Sequence, residues 1–251
     1  MQNIIDSHVH CGVQDNAFLQ SFENYLHHIQ DSDISGAAIF PPVEEIYDRH
    51  DPFFEDTPRW KERRYNANQY VLSLKNREIQ VFPYFFIWND FAIGQISPEF
   101  LGIKWHRHPD EPEYNYDSQE CREAIQFIAQ KNMPVVLEEE LSHTIYFIRE
   151  LATGTRVIIP HLGALNGGYR SIKKNGLWEL ENVYTDTSLA SKSTISDYIE
   201  NYGCERIMFG SDFPFGDPVM ELEKLRSMDL SAESFNQISS RNIQNLLRDV
   251  R

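Results

Sequence analysis

Short apolar runs rich in valine, isoleucine and phenylalanine alternate along this chain with longer stretches in which apolar side chains recur at helical spacing. The runs predict strands at Ile4 to Ser7, Gly36 to Phe40, Val81 to Ile87, Leu101 to Trp105, Pro134 to Leu137, Arg156 to Ile159, Val183 to Thr187 and Arg206 to Phe209. Between them, helices are expected near Phe18 to Gln30, Trp60 to Lys75, Gln119 to Gln130, Ser142 to Ala152, briefly after Gly167, and Thr194 to Asn201. Two more, Pro218 to Met228 and Ser231 to Leu247, close the chain. The stretch Trp88 to Glu99 is too short for a good crossover helix, so a turn or a loop is expected there. A polar, aromatic insertion, 43–58, follows the Pro41-Pro42 stop of the second strand.

Strictly alternating strands and helices make a parallel sheet, and eight of them predict a closed TIM (β/α)8 barrel whose helix between strands 3 and 4 is short or missing. An open doubly wound sheet would carry a glycine-rich phosphate turn after the first strand, and Cys11-Gly12-Val13 is not one. The 251 residues suit one barrel domain, 1–251, with 43–58 as a candidate lid.

Charge narrows the partners. With 38 acidic against 23 basic residues the net charge is -15, which argues against nucleic acid or an anionic membrane and for a small-molecule substrate. Three dispersed cysteines, Cys11, Cys121 and Cys204, fit a reducing compartment, and the first strand is preceded by neither a basic leader nor an apolar signal core, so a cytoplasmic location is expected.

The candidate chemistry gathers where strands end. His8 and His10, two apart on the first strand, point to one face and can grip one ion together. Glu138, His161 and Asp212 follow the fifth, sixth and eighth strands, and nitrogen and carboxylate donors delivered from several strand ends describe a catalytic metal site. Each has a structural alternative: a hydrogen-bonded histidine pair, a turn cap at Asp212 before Pro214, an acidic first helical turn in Glu138-Glu139-Glu140. A one-residue slip would nominate Glu139 in place of Glu138. Cys11 is a soft donor beside the histidine pair but points away from their face. Lys104, His106 and His108 offer a cationic patch for a substrate carboxylate, with Arg170 a similar candidate on the sixth βα loop. Tyr47, Arg49, His50, Phe53 and Phe54 of the insertion either cover the mouth or pack on a neighbouring helix.

Ile5-Asp6-Ser7-His8-Val9-His10, Gly102-Ile103-Lys104, Ile159-Pro160-His161-Leu162-Gly163, Arg206 to Pro214, and Asn242 in the last helix together resemble the amidohydrolase superfamily of metal-dependent barrel enzymes, in its amidohydrolase-related (ACMSD-like) branch. The resemblance spans nearly the whole chain. It implies a hydrolase that cleaves an amide, ester or lactone in a small carboxylate-bearing molecule, using one divalent ion held by His8, His10, Glu138 and Asp212 or His161. Zinc is the first expectation for that ion and manganese the alternative, with a second ion left open. Asp212 would move the water's proton, His161 would orient the carbonyl, and Lys104 or His106 would hold the carboxylate. The branch usually places a histidine where this chain has Glu138, and a carboxylate there favours a harder metal. Relatives also include non-hydrolytic decarboxylases of small aromatic or enoic acids and metal-free lactonases, and many are homodimers. A non-catalytic ligand-binding barrel is the third reading.

Overall fold

The computed structural model describes residues 3–13, 20–51, 53–75 and 78–250. Strands β1 (Ile4–His10), β2 (Ile34–Phe40), β3 (Gln80–Phe86), β4 (Gly102–His106), β5 (Val135–Glu138), β6 (Val157–Ile159), β7 (Val183–Asp186) and β8 (Ile207–Met208) lie side by side in sequence order, each parallel to the next. The ring closes just beyond β8. Ser7 N donates to the Phe209 carbonyl, Asp212 N to that of His8 and His10 N to that of Phe213, at 2.8, 2.8 and 2.9 Å. This is a TIM barrel, with the predicted strands in place to within a few residues.

Helices α1 (Phe22–Ile29), α2 (Pro58–Ser73), α3 (Gln119–Gln130), α4 (Leu141–Tyr146), α5 (Tyr169–Lys174), α6 (Lys192–Tyr202) and α7 (Pro218–Arg226) fill the crossovers and the segment after β8. Ser21, Thr57, Ser118, Ser191 and Asp217 start five of them by accepting a hydrogen bond from a first-turn amide, which explains their sharp beginnings. Residues Phe18 and Leu19 of the expected first helix lie outside the described residues. Only a 3-10 turn, Ile93–Gln95, bridges β3 and β4, as the short spacing required. The closing helix runs as α8 (Ala232–Asn236), a π-helical turn (Gln237–Arg241) and α9 (Asn242–Leu247). Among the described residues no helix is long and apolar enough to cross a membrane.

Two apolar layers hold the barrel. Outward residues such as Val9, Ile103, Val135, Leu137 and Val157 join the helices in the larger core. Ile5, Ala38, Phe82, Tyr84, Val136, Ile158 and Met208, from strands all around the ring, touch one another, which places them inside. Ile243, Leu246 and Leu247 of α9 join this inner layer and cover its floor. Asn242 fastens that helix by donating to the carbonyls of Cys204 and Ile207, both at 2.6 Å. Gly102 is required here, because a Cβ would collide with the inward Tyr84 ring. A register irregularity between Asp6 and Val9 lets β1 turn Ile5 into the floor and still aim His8 and His10 into the mouth.

The insertion packs on α2 and on the barrel wall. Tyr47 stacks on Trp88 with ring centroids 3.9 Å apart, and Phe54 meets Trp60 of α2 edge-on. Arg64 of α2 donates to Asp56, Asp90 and the Ile46 carbonyl, tying the segment to the barrel wall. Phe53 stays exposed.

Candidate metal centre

The hydrogen bond that closes the ring, Asp212 N to the His8 carbonyl, also sets Asp212 beside the histidine pair. Asp212 and His161 both adopt left-handed backbone, φ 59° and 56°. Such conformations cost a non-glycine residue about 1–3 kcal/mol and concentrate where function holds them.

Five side chains converge and all are buried. His8 Nε2 lies 3.3 Å from Asp212 Oδ1 and 3.8 Å from Glu138 Oε1. His10 Nε2 is 3.4 Å from the same Asp212 oxygen. His161 Nε2 stands 3.8 Å from Glu138 Oε1 and 4.0 Å from Asp212 Oδ2. One donor atom from each of His8, His161 and Asp212 falls within 4.8 Å of the other two. Glu138 is the inward residue of its run: Glu139 turns outward to accept from Tyr116 and to pair with Arg107.

Asp186, at the end of β7, decides what these histidines can do. Its Oδ2 takes His8 Nδ1 at 2.9 Å, so that nitrogen carries the proton and Nε2 is left a bare lone pair facing the carboxylates. Ser188 gives its hydroxyl proton to Asp186 and therefore accepts from His161 Nδ1 at 2.7 Å, which frees His161 Nε2 in the same way. A carboxylate behind an imidazole is the arrangement that orients a metal-ligating histidine. The sequence reading missed Asp186 and Ser188, although the end of the seventh strand is where the same rule would have looked.

Charge agrees with that geometry. Burial would raise the carboxyls of Glu138 and Asp212, yet Lys104 and His106 hold the first well below the usual range and His10 and His161 hold the second below it. Burial, with Lys104 nearby, lowers His8, and burial lowers His10 to about 4. His161 goes the other way: burial opposes its charge, but Asp212 and Glu138 raise it to about 9. Imidazole lone pairs and ionised carboxylates crowded into one buried space repel unless a cation or a proton stands between them; here the Lys104 ammonium and the His161 proton do so, and the donor set fits a divalent ion in their place.

The remaining candidates fall as follows. Lys104 is fully buried and donates to Glu138 Oε1, 3.3 Å from His8 Nε2 and over the Phe40 ring. His106 Nε2 lies 3.2 Å from Glu138 Oε2. Both groups of the expected cationic patch are thus turned on Glu138 rather than standing free, and burial lowers His106 to about 4, which leaves Lys104 as the cation of the two. Arg170 is exposed on α5, where its charge acts on Asp197, and is not brought together with the others. Cys11 is buried with its thiol pushed up by burial and by Asp6, unfit as a thiolate ligand.

Residues 94–248 match the family described as amidohydrolase. No curated protein sequence matches the chain. A 2,6-dihydroxybenzoate decarboxylase from Rhizobium has a similar structure, with a TM-score of 0.72 and 14% identity over 99% of this chain and 99% of that one. A candidate 2-pyrone-4,6-dicarboxylic acid hydrolase from Pseudomonas putida superposes at 0.74 and 16% over 99% and 98%. A dihydroxybenzoic acid decarboxylase from a Polaromonas species, solved with manganese and the inhibitor 2-nitroresorcinol, gives 0.71 and 13% over 100% and 98%. At these identities the likeness is one of fold.

Proposed function

Because the chain belongs to the amidohydrolase family, we propose that it is a metal-dependent hydrolase cleaving an amide, ester or lactone bond in a small, carboxylate-bearing molecule. The observation that carries this reading is the aim of the Nε2 atoms of His8 and His161, whose Nδ1 sides are fixed by Asp186 directly and through Ser188, at two ionised carboxylates. His8, His10, His161, Asp212 and Glu138 would hold one divalent ion. Three imidazoles suit zinc, and the two carboxylates, with the manganese of the Polaromonas protein, keep manganese as the alternative. Such an ion, when bound, lowers the pKa of a water from about 16 to roughly 7 and polarises a carbonyl.

The chain's own groups supply the rest. Asp212, ionised at neutral pH, accepts the attacking water's proton and returns it to the leaving group. His161, which carries a proton while the site is empty of metal, would give that proton up on ligating and so hold the ion beside the carbonyl it orients. A substrate carboxylate would draw Lys104 away from Glu138, placing the scissile bond over the histidine pair. A small-molecule substrate agrees with the buried mouth and the net charge of -15.

A decarboxylase of a small aromatic acid is the second reading. It is favoured by the half-exposed Phe215 ring set edge-on to His10 at 5.9 Å, which offers an aromatic face beside the site. Parallel assays of zinc- and manganese-loaded protein on lactone, ester and amide acids and on hydroxybenzoates decide between them. Hydrolysis lost in His10→Ala and Asp212→Asn supports the proposal. Turnover retained in either folded variant overturns it, and carbon dioxide release alone moves the assignment to the second reading.

A further inference from the structure

The far oxygen of Glu138 faces a second set of donors that the proposed chemistry does not use as ligands. His106 Nε2 and His108 Nε2 lie 3.2 and 3.5 Å from Glu138 Oε2. One donor atom from each of these three residues falls within 4.8 Å of the others. His106 ends β4, and Pro109 follows His108, so a short extended stretch delivers both rings to the same side.

The hydrogen bonds around them fix which imidazole nitrogens face Glu138. Glu111 is paired with Arg49, whose Nε donates to it at 2.7 Å, and so acts as an acceptor only. The Tyr47 hydroxyl gives its single proton to Glu111 Oε2 at 2.6 Å. At the 3.3 Å contact between Tyr47 and His106 Nδ1 the imidazole must therefore be the donor. With Nδ1 so engaged, Nε2 is the ring nitrogen that His106 turns toward Glu138 Oε2, the position from which an imidazole ligates. His108 Nε2 is buried with no hydrogen-bond partner, while its Nδ1 lies 3.4 Å from Glu111 Oε1 and 2.9 Å from an Arg49 nitrogen. Binding an ion through Nε2 puts the His108 proton on Nδ1, where Glu111 accepts it and Arg49, already held by Glu111, gives way.

We propose that His106, His108 and Glu138 form a second divalent-cation site, with Glu138 bridging it to the metal centre and Glu111, through Tyr47 and His108, fixing the two imidazoles. Two nitrogens and one oxygen leave coordination positions open, as in sites that bind water or an anion rather than purely structural ones. The His108 side chain is 30% exposed, which gives the ion a way in. The occupant is a borderline divalent ion of the zinc class. Tyr47 and Arg49 come from the insertion, so that segment also builds this site.

The inference shares Glu138 with the function proposed above and rests on that reading of Glu138, but ion counts separate the two. Chelator-stripped protein is dialysed against zinc alone and its content measured by plasma mass spectrometry for the wild type, His108→Gln and Glu111→Gln. Two ions in the wild type and one in His108→Gln are expected, with zinc affinity of the second site falling about 10- to 100-fold in Glu111→Gln. One ion in both the wild type and His108→Gln overturns the second site and leaves the metal centre standing. Two ions in His108→Gln also overturn it, and none in the wild type overturns both readings. Circular dichroism checks that each variant is folded. Should His108→Gln fail that check, Glu111→Gln, on the loop beyond β4, decides alone, and an undiminished second affinity there refutes the proposal.

Discussion

Replacing Asp186 with asparagine tests the reasoning at its narrowest point, because the substitution exchanges one carboxylate oxygen for an NH2 group and removes no proposed ligand. Asp186 accepts four hydrogen bonds: Oδ1 takes His161 N at 3.0 Å, Ser188 N at 3.1 Å and the Ser188 hydroxyl, and Oδ2 takes His8 Nδ1 at 2.9 Å. Asparagine keeps one acceptor oxygen. The three donors clustered on Oδ1 claim it, which leaves the amide NH2 against His8 Nδ1. Two donors cannot share that contact, so the His8 proton moves to Nε2 and the lone pair that faces Asp212 and Glu138 is lost.

The magnitude follows from losing one ligand's correct tautomer. Partners behind a metal-bound histidine are worth about 10- to 100-fold in affinity or activity. At about 1.4 kcal/mol per factor of ten that is roughly 1.4–2.8 kcal/mol. Zinc affinity is read by competition with a chromophoric chelator, and the tautomer directly by nitrogen-15 chemical shifts of the His8 ring. Asp186→Asn should weaken binding by that factor and place the His8 proton on Nε2. Unchanged affinity in a folded variant would refute the claim that Asp186 prepares the site.

Three further outcomes are expected. Gly102→Ala drives a methyl group into the Tyr84 ring inside the barrel and should cost about 1–3 kcal/mol, read as a lower urea midpoint at unchanged m. Asp6, pushed by burial from 3.8 up to about 7 against four hydrogen bonds, binds its proton more tightly folded than unfolded. Stability should therefore be greatest below about pH 4 for this group's contribution and be lost as pH rises to about 7, by as much as roughly 4 kcal/mol, a slope that Asp6→Asn removes in urea titrations at stepped pH. Lys104→Met leaves the buried Glu138 carboxylate without its cation, so chelator-treated protein should lose about 3–5 kcal/mol. Zinc-loaded Lys104→Met should lose less, since the ion answers the same charge, and equal losses in the two states would separate Glu138 from the metal.

What could be read from the sequence is what local period and strand ends encode. All eight strands, the absent crossover helix and the inward aim of His8, His10 and Glu138 follow from alternation and from where apolar runs stop. Asp186 was not legible because Val183 to Thr187 reads as an ordinary strand; its meaning comes from His8, 178 residues away, and from Ser188 folding back onto it. The irregularity in β1 was also invisible, since parity alone cannot turn both Ile5 and His8 inward. Arg170 looked like part of a cationic patch from its place after Gly167-Gly168, but the short α5 leaves it exposed near Asp197. The family match begins at Gly94, so His8 and His10 lie outside it, and their place beside Asp212 is a consequence of ring closure.

Glu138 explains why the cationic patch and the metal centre cannot be independent. A histidine at that position would bring a neutral donor and leave Lys104 uncommitted. A carboxylate there binds Lys104 on Oε1 and faces His106 on Oε2, opposite His8 and His161. An ion that takes Oε1 must displace a fully buried ammonium from its partner, a cost of several kcal/mol unless another anion receives it. The substrate carboxylate proposed above would be such an anion, and by moving Lys104 would return Glu138 to the ion. Metal and carboxylate should thus each raise the affinity for the other by the same factor, since a coupling free energy is shared between the two sites. The residue that departs from the family's usual histidine would in this way be the one that couples metal affinity to a carboxylate-bearing substrate.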